Sequence, residues 1–351
     1  MSEFWSEVVH SLSPYVPGEQ PRGGSFVKLN TNENPFGPSP ATLEAIRAAV
    51  SDRLRLYPDP DSLALRAAIG ERLGVATEEV FVGNGSDEVL AHAFHALLKH
   101  DEPLLFPDIT YSFYPTYCRL YEIPSRTVAL DADLRLRVED YAPPRGAIII
   151  ANPNAPTGIA LPLAEVRRLV EANADRMVVV DEAYVDFGAQ SAASLIAHHK
   201  NLLVVRTFSK SHSLAGMRVG FALGQRHLIE ALVRVKDSFN SYPLNALSQT
   251  AALAAWRDQD WTDACLAKIV ANRVELTQAL AALGFDVAPS LANFVFARLP
   301  GRGGAQLQTL LREEGVLVRH LSAARIADRL RITIGTADEC DALLAALKRR
   351  L

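Results

Sequence analysis

The chain has 351 residues, of which 49% are hydrophobic and 22% charged, and this is the composition of an ordinary globular protein. Its formal net charge of -4 predicts no basic surface for nucleic acid or anionic lipid. The sequence shows neither a secretory signal nor an apolar stretch of about 20 residues. Three scattered cysteines lack metal-ligand or redox spacing. We therefore expect a soluble cytoplasmic protein without a metal site.

The hydrophobic pattern divides the chain into an arm and two α/β units. Residues 1–35 are rich in turn-forming residues and predict an N-terminal arm. From there to about residue 250, helical segments alternate with short unbroken apolar runs, which are typical of strands buried on both faces of a parallel sheet. The pattern then changes. We predict a large doubly wound, mostly parallel α/β domain over 36–250 and a smaller α/β domain over 251–351.

The predicted elements follow in chain order. Apolar residues at helical spacing predict a helix at 86–98. Unbroken apolar runs predict strands at 147–150, 177–180 and 202–205, with a crossover helix at 162–174. Beyond residue 250 the pattern predicts a helix through 264–283, a strand at 293–296, a helix at 305–314, strands at 315–318 and 331–334, and a terminal helix.

Polar residues follow each of the three buried runs of the large domain. They are the turn 152–158 (Asn-Pro-Asn-Ala-Pro-Thr-Gly), then Asp181 and Tyr184, then Thr207, Ser209 and Lys210. Ligands bind beyond the carboxyl ends of the strands in an open parallel sheet. We therefore expect these groups to meet at one edge, where chance would rarely place all of them together.

These residue types match the requirements of pyridoxal 5'-phosphate (PLP). The amine of Lys210 can bond covalently to the cofactor aldehyde. Asp181 can keep the pyridine nitrogen protonated, so that the ring accepts electrons, and Tyr184 can hydrogen-bond the phenolate oxygen. The phosphate requires donors and positive charge, for which the candidates are Thr207, Ser209, Arg218, and Ser86 and Asp87 at the start of the predicted 86–98 helix.

Longer segments resemble one enzyme family. Segment 209–220, Ser-Lys-Ser-His-Ser-Leu-Ala-Gly-Met-Arg-Val-Gly, is similar to the PLP-lysine signature of class II aminotransferases of fold type I, and 152–158 and 181–184 match the same family in the same order. Narrower features resemble the histidinol-phosphate aminotransferases, namely segments 14–18, 29–35, 57–59, 83–88 and 330–336. The resemblance covers essentially the whole chain. It implies a fold-type I PLP-dependent transferase that forms a homodimer with shared active sites.

The resemblance also implies roles for individual residues. Tyr111 is expected to stack on the cofactor ring, and Tyr57 to reach the cofactor phosphate of the neighbouring subunit. Arg331 matches the arginine that binds the substrate α-carboxylate, a task suited to a bidentate guanidinium fork. Arg319 matches the arginine that receives the substrate phosphate. Further candidates for substrate contacts are Tyr15, Asn32 and Tyr242.

One position departs from the family pattern. The family often has asparagine directly before Pro-Thr-Gly, where its amide contacts the ring oxygen, but this chain has Ala155. Asn154, one residue earlier, is the candidate to replace that contact. Ordinary structural alternatives also exist, because Asp181 could cap a turn and Tyr184 could simply pack.

The implied reaction is amino transfer in histidine biosynthesis, from L-glutamate to imidazole acetol phosphate, giving 2-oxoglutarate and histidinol phosphate. Two alternatives would keep the same PLP residues, an aromatic amino acid aminotransferase and an amino-acid-phosphate decarboxylase. A PLP-sensing regulator is a third alternative. It would require a DNA-binding module, for which the short, non-basic arm leaves no room.

Overall fold

The computed structural model describes residues 2–14, 18–21, 23, 25–142 and 146–351. The helices within them are α1 (Glu7–Ser11), α2 (Pro40–Ala49), α3 (Leu63–Leu73), α4 (Gly85–Leu97), α5 (Tyr114–Tyr121), α6 (Leu163–Ala172), α7 (Arg226–Phe239), α8 (Ala246–Arg257), α9 (Gln259–Ala282), α10 (Gly304–Glu313) and α11 (Ala337–Arg350). The strands are β1 (Val27–Lys28), β2 (Val80–Gly83), β3 (Leu104–Pro107), β4 (Ser125–Val128), β5 (Ile148–Ala151), β6 (Val178–Asp181), β7 (Leu202–Thr207), β8 (Gly220–Gly224), β9 (Asp286–Val287), β10 (Phe294–Arg298), β11 (Val316–Leu317), β12 (Arg319–His320) and β13 (Arg329–Thr333).

A seven-stranded sheet forms the larger unit, in the order β2-β8-β7-β6-β5-β3-β4. The strands from β7 to β4 run parallel, and β8 is antiparallel to both of its neighbours. The predicted strands at 147–150, 177–180 and 202–205 correspond to β5, β6 and β7, and the predicted helices at 86–98 and 162–174 correspond to α4 and α6. The mostly parallel α/β architecture is therefore confirmed.

The unbroken apolar runs of β5, β6 and β7 follow from burial on both faces. Alternate residues of these strands point to opposite sides of the sheet. Ile148, Val178 and Val204 pack on one side with helices α3, α6 and α8. Ile149 and Val179 pack on the other with α4, α5 and α7. Helices thus cover both faces, as the doubly wound arrangement requires.

A four-stranded antiparallel sheet, in the order β12-β13-β10-β9, forms the smaller unit with α9, α10 and α11. The arm contributes β1, which pairs in parallel with β11 through Val27 and Val316. The predicted strand at 315–318 is divided, because β11 pairs with β1 while β12 pairs with β13. Helix α8 crosses the boundary predicted at residue 250 and packs on α2 and α3. The exact domain boundaries stay predictions.

The fold brings the carboxyl ends of β5, β6 and β7 to one edge of the large sheet, in register through Ala151, Asp181 and Val205. The N-terminus of α4 and the smaller unit adjoin the same edge. Among the described residues, no helix has the length and apolar character needed to cross a membrane.

Candidate active site

A cavity of about 220 Å³ lies at the carboxyl ends of β5, β6 and β7. We call it the main cavity. Most of the site residues predicted from the sequence line it, namely Asn32, Ser86, Asp87, Tyr111, Asp181, Tyr184, Thr207, Ser209, Lys210, Arg218, Arg319 and Arg331. These residues come from the arm, both sheets and the start of α4, so the cavity depends on the whole fold.

Lys210 lies just beyond β7, and its side chain lines the main cavity. Its Nζ donates to the backbone carbonyl of Thr31 at 3.3 Å and lies 5.9 Å from the centre of the Tyr184 ring. The arm also fixes the backbone of this loop, because Asn34 Nδ2 donates to the carbonyls of Lys210 and Ser211 at 3.0 and 3.2 Å. Contacts with Thr31 and Asn34 of the arm therefore hold the amine and its loop at the cavity wall.

Asp181 is 5% exposed at the end of β6 and faces the same space. The Tyr114 hydroxyl donates to its Oδ2 at 3.0 Å, and the Ala183 N–H donates to its Oδ1 at 3.2 Å. Burial raises the pKa of Asp181 to about 6, although both hydrogen bonds act to lower it. Within the described part of the chain, no basic side chain forms an ion pair with this carboxylate. A buried carboxylate of this kind fits the protonated pyridine nitrogen of PLP.

The start of α4 forms a cradle for an anion. Gly85, at φ +81°, lies beside the Arg218 guanidinium, and a Cβ at Gly85 would come within 2.5 Å of its Nη2. Gly220 allows a similarly close approach, because a Cβ there would lie 2.3 Å from the Ser86 nitrogen. Backbone N–H groups at a helix N-terminus and a guanidinium together suit a phosphate group. This end of the main cavity therefore fits the phosphate of PLP.

Asp87 organises the side chains around this cradle. Its Oδ2 accepts from Arg218 Nη2 at 3.2 Å, and its Oδ1 accepts from the Tyr111 hydroxyl at 3.0 Å. Burial raises the pKa of Tyr111 well above its ordinary value, so the hydroxyl stays protonated and remains a donor. The Tyr111 ring lies at 88° to that of Tyr114, with centroids 5.5 Å apart. Both Tyr111 and Arg218 are thus positioned from the first turn of α4.

Asn32 holds the phenol of Tyr184 on the opposite wall. Its Nδ2 lies 2.9 Å from the Tyr184 oxygen, and its Oδ1 accepts from the Thr333 hydroxyl at 3.1 Å. The backbone of Asn32 is left-handed, at φ 56°, a conformation that asparagine adopts more readily than most residues. The Tyr184 ring packs edge-to-face on Phe294, with centroids 5.1 Å apart. The phenol is therefore fixed by both the arm and the smaller sheet.

Two arginines approach the site from the smaller sheet. Arg319 on β12 and Arg331 on β13 are direct register partners, and both line the main cavity. Arg331 Nη2 donates to the Asn30 carbonyl at 3.0 Å. Like charges directly opposite each other destabilise a strand pair, and a bound anion offsets that cost. This wall is suited to anionic groups of a substrate.

A second cavity of about 350 Å³ adjoins the first. The two cavities share four lining residues, which are Tyr111, Ala155, Arg319 and Arg331. The arginine pair therefore borders both a space that fits the cofactor and a space next to it. The site as a whole has room for a second, anionic molecule beside the cofactor.

Some predicted residues are not brought to the main cavity. Asn154 does not line it. Its Nδ2 donates to the Ile109 carbonyl at 2.9 Å and contacts Thr157 Oγ1 at 3.2 Å, and Ala155 is the residue that faces the cavity. The amide of Asn154 is thus engaged by the Ile109 carbonyl and by Thr157 of its own turn, and its contact with the ring oxygen stays a prediction.

Two of the tyrosines expected to contact cofactor or substrate also lie away from the main cavity. Tyr57 is 81% exposed and stacks on Tyr242 with ring centroids 4.6 Å apart. Neither lines the cavity of its own chain. Tyr15 lies outside the described residues.

Sequence reasoning assigned no role to Tyr114 or Asn34. Tyr114 donates to Asp181, and Asn34 holds the loop of Lys210. A signal was present for each. Tyr114 follows Tyr111 by three residues at the start of a helix, and Asn34 belongs to a run in which asparagine recurs at every second position from Asn30. Neither pattern shows which distant residue is contacted.

The comparisons with known proteins agree with this geometry. The model of the class I and II aminotransferase family matches residues 25–347. The chain is 61% identical to the histidinol-phosphate aminotransferase of Acetobacter pasteurianus, over 99% of this chain and 98% of that one. It is also 61% identical to histidinol-phosphate aminotransferase 2 of Rhizobium meliloti, over 99% of both chains.

A solved structure shows the same relationship. The crystal structure of histidinol-phosphate aminotransferase from Sinorhizobium meliloti in complex with pyridoxal-5'-phosphate matches with a TM-score of 0.89 and 25% identity. The match covers 100% of this chain and 99% of that one. The chain therefore belongs to the class I and II aminotransferase family and, within it, to the histidinol-phosphate aminotransferases.

Proposed function

We propose that the protein is a PLP-dependent aminotransferase of histidine biosynthesis. It interconverts histidinol phosphate and 2-oxoglutarate with imidazole acetol phosphate and L-glutamate. The observation that carries this proposal is the main cavity itself, in which Lys210, the buried carboxylate of Asp181 and the paired arginines face one space. The names of relatives at 61% identity support the choice of substrate.

The residues that would hold PLP come from separate elements. Asp181 would pair with the ring nitrogen, and Tyr184 would donate to the phenolate oxygen. The phosphate would be held by the N-terminus of α4 with Ser86 and Asp87, by Thr207 and Ser209, and by Arg218. Tyr111 would pack on the ring face. When bound, PLP supplies an electron sink that weakens the bonds to the substrate Cα.

Lys210 would act as the general acid and base. Its Nζ would move a proton between the substrate Cα and the aldehyde carbon of the cofactor. The contact of Nζ with the Thr31 carbonyl keeps the amine at the wall of the cavity, within reach of a substrate.

The arginine pair would let one site accept two different substrates. Arg331 would bind the α-carboxylate of glutamate, a group that histidinol phosphate lacks. Arg319 would bind the phosphate of histidinol phosphate or the distal carboxylate of glutamate. The register of β12 and β13 supports this division, because the two guanidinium groups start from adjacent positions.

We also propose a homodimer with shared sites. Apolar side chains are exposed in the segment around Tyr57, namely Val50, Leu54, Leu56 and Leu63. A partner subunit would cover this surface, and Tyr57 would then reach the cofactor phosphate of that partner. Tyr242, which stacks on Tyr57, would contact the partner's substrate. All three cysteines are buried and free, which supports a location in the reducing cytoplasm.

Single-turnover spectroscopy tests the proposed reaction. The cofactor-loaded protein is mixed separately with L-glutamate, histidinol phosphate, phenylalanine and phosphothreonine, and the cofactor absorption band is followed. We expect the largest second-order rate constant for the absorbance change with histidinol phosphate. Glutamate should also change the absorption band. A preference for phenylalanine would indicate the aromatic aminotransferase, and release of carbon dioxide from phosphothreonine would indicate the decarboxylase.

A further inference from the structure

Residues 319–331 form a hairpin that carries the two paired arginines, and we call it the arginine hairpin. β12 and β13 are its strands, and residues 321–328 connect them. β13 is held on its other side by β10, whereas β12 is a two-residue strand at the edge of the sheet and, among the described residues, pairs with β13 alone. The position of Arg319 therefore depends on the connection more strongly than that of Arg331 does.

Arg325 ties this connection to the larger unit. Its Nη1 donates to Oδ2 of Asp108 in an ion pair, and its Nη2 donates to the carbonyls of Leu130 and Asp131, each at 2.9 Å. The other oxygen of Asp108 accepts from the Leu130 N–H at 2.9 Å. One guanidinium thus links the arginine hairpin to both the end of β3 and the segment that follows β4.

An apolar cluster lies with these contacts at the junction of the two units. It joins Ile109, Leu130 and Leu134 of the larger unit to Phe296 and Ile326 of the smaller one. Each of these side chains is at most 6% exposed. Arg325 therefore lies at the edge of a packed contact between the two units. We expect its contacts to stabilise this region more than an isolated surface ion pair would.

Residues of this region also line the second cavity. Asp108 and Tyr111 line it from the larger unit, and Ser322 and Ile326 line it from the arginine hairpin. Asp108 precedes Tyr111 by three residues, so the ion pair connects the segment of Tyr111 directly to the connection that supports Arg319.

We propose that Arg325 is a positioning residue, which holds the arginine hairpin against the larger unit and so places Arg319 for an anionic substrate group. The proposal rests on the proposed function for the identity of that group. Arg325 does not line either cavity, so it would act through Arg319. Its effect is expected on anion binding and on the mobility of the arginine hairpin.

The test compares Arg325→Ala, Arg325→Lys and Arg350→Ala in the cofactor-loaded protein. Arg350 is a matched control, because it is also a partly exposed arginine that forms ion pairs, but it lies on α11, where its partners are Glu313 and Glu314. For Arg325→Ala we expect the KM for histidinol phosphate to rise about fivefold, with kcat changed less than about twofold. The inhibition constant of inorganic phosphate should rise by the same factor, because phosphate binds more weakly. Arg325→Lys should be intermediate, because an ammonium group cannot reproduce the fork.

Amide hydrogen exchange provides a readout that does not depend on any substrate. Exchange over 319–328 should be faster in Arg325→Ala than in Arg350→Ala. Equal exchange in the two variants would overturn the proposal, and so would an unchanged phosphate inhibition constant in Arg325→Ala. A wild-type protein that ignores both histidinol phosphate and inorganic phosphate would overturn the proposed function instead, and hydrogen exchange would still decide the role of Arg325.

Discussion

At the scale of single residues, the burial of Asp181 suits a cofactor and opposes folding in its absence. A buried carboxylate without a cationic partner is stabilised in its neutral form, which raises its pKa to about 6 from the ordinary 3.8. Between these two pH values the folded protein holds this proton more tightly than the unfolded chain does. The contribution of Asp181 to folding is therefore lost as the pH rises through about 6.

Asp181→Asn tests this in the cofactor-free protein. Asparagine cannot ionise, so the variant should gain stability relative to wild type at pH 7.5, and the gain should shrink as the pH falls toward 4.5. The two pKa values set an upper limit of roughly 3 kcal/mol for this gain. Chemical denaturation at several pH values measures it. A stability difference that does not vary with pH would contradict the assignment.

The same substitution should have the opposite consequence for catalysis. An amide cannot keep the pyridine nitrogen protonated, so we expect the turnover of cofactor-loaded Asp181→Asn to fall by at least about 100-fold. Single-turnover rates with glutamate check this, and Asp237→Asn on the exposed side of α7 is a suitable control. A near-normal kcat in Asp181→Asn would remove Asp181 from this role.

Lys210→Ala should abolish both covalent attachment of the cofactor and turnover. The amine is placed at the cavity wall by Thr31, and a loss of about 1,000-fold or more is expected when a covalent and proton-transferring group is removed. Borohydride reduction followed by peptide mapping should locate the cofactor on Lys210 in the wild type. The exposed Lys200→Ala variant serves as the control. A label on any other lysine would show that Lys210 is misassigned.

At the scale of elements, the pairing of β12 and β13 predicts a division of labour between two adjacent arginines. Arg319→Ala should lower kcat/KM for histidinol phosphate about 10- to 100-fold, mainly through KM, because the phosphate is remote from the reacting Cα. Arg331→Ala should damage the glutamate half-reaction most, because only glutamate presents an α-carboxylate. Separate single-turnover measurements of the two half-reactions distinguish these outcomes. Equal losses for both substrates in both variants would mean that the two roles are wrongly assigned.

At the scale of the whole molecule, the exposure of Tyr57 predicts that each site is completed by a second chain. Chains carrying Tyr57→Phe are mixed with chains carrying Lys210→Ala. In a mixed dimer one site combines an intact Lys210 with an intact Tyr57, so activity should exceed that of either parent dimer. The control places both substitutions on one chain and mixes it with wild type, which leaves no intact site in the mixed dimer. Activity on mixing that does not rise above that of the parent dimers would count against a shared site.

The sequence by itself determined the parts of this protein that depend on local pattern. Strands buried on both faces require unbroken apolar runs, so β5, β6 and β7 could be located, and with them Asp181 and Lys210 at their carboxyl ends. Motif resemblance added Arg319 and Arg331, which line the main cavity. In these cases the chemistry and its position are encoded within a few neighbouring residues.

Only the tertiary structure decided which distant groups meet. Asn32 reaches Tyr184 across 152 residues, and Arg325 reaches Asp108 across 217. The structure also showed that the amide of Asn154 donates to the carbonyl of the distant Ile109, while Ala155 faces the main cavity. Such contacts depend on the packing of separate elements, and neither residue type nor spacing along the chain specifies them, because a hydrogen-bonding side chain has many possible partners until the fold selects one.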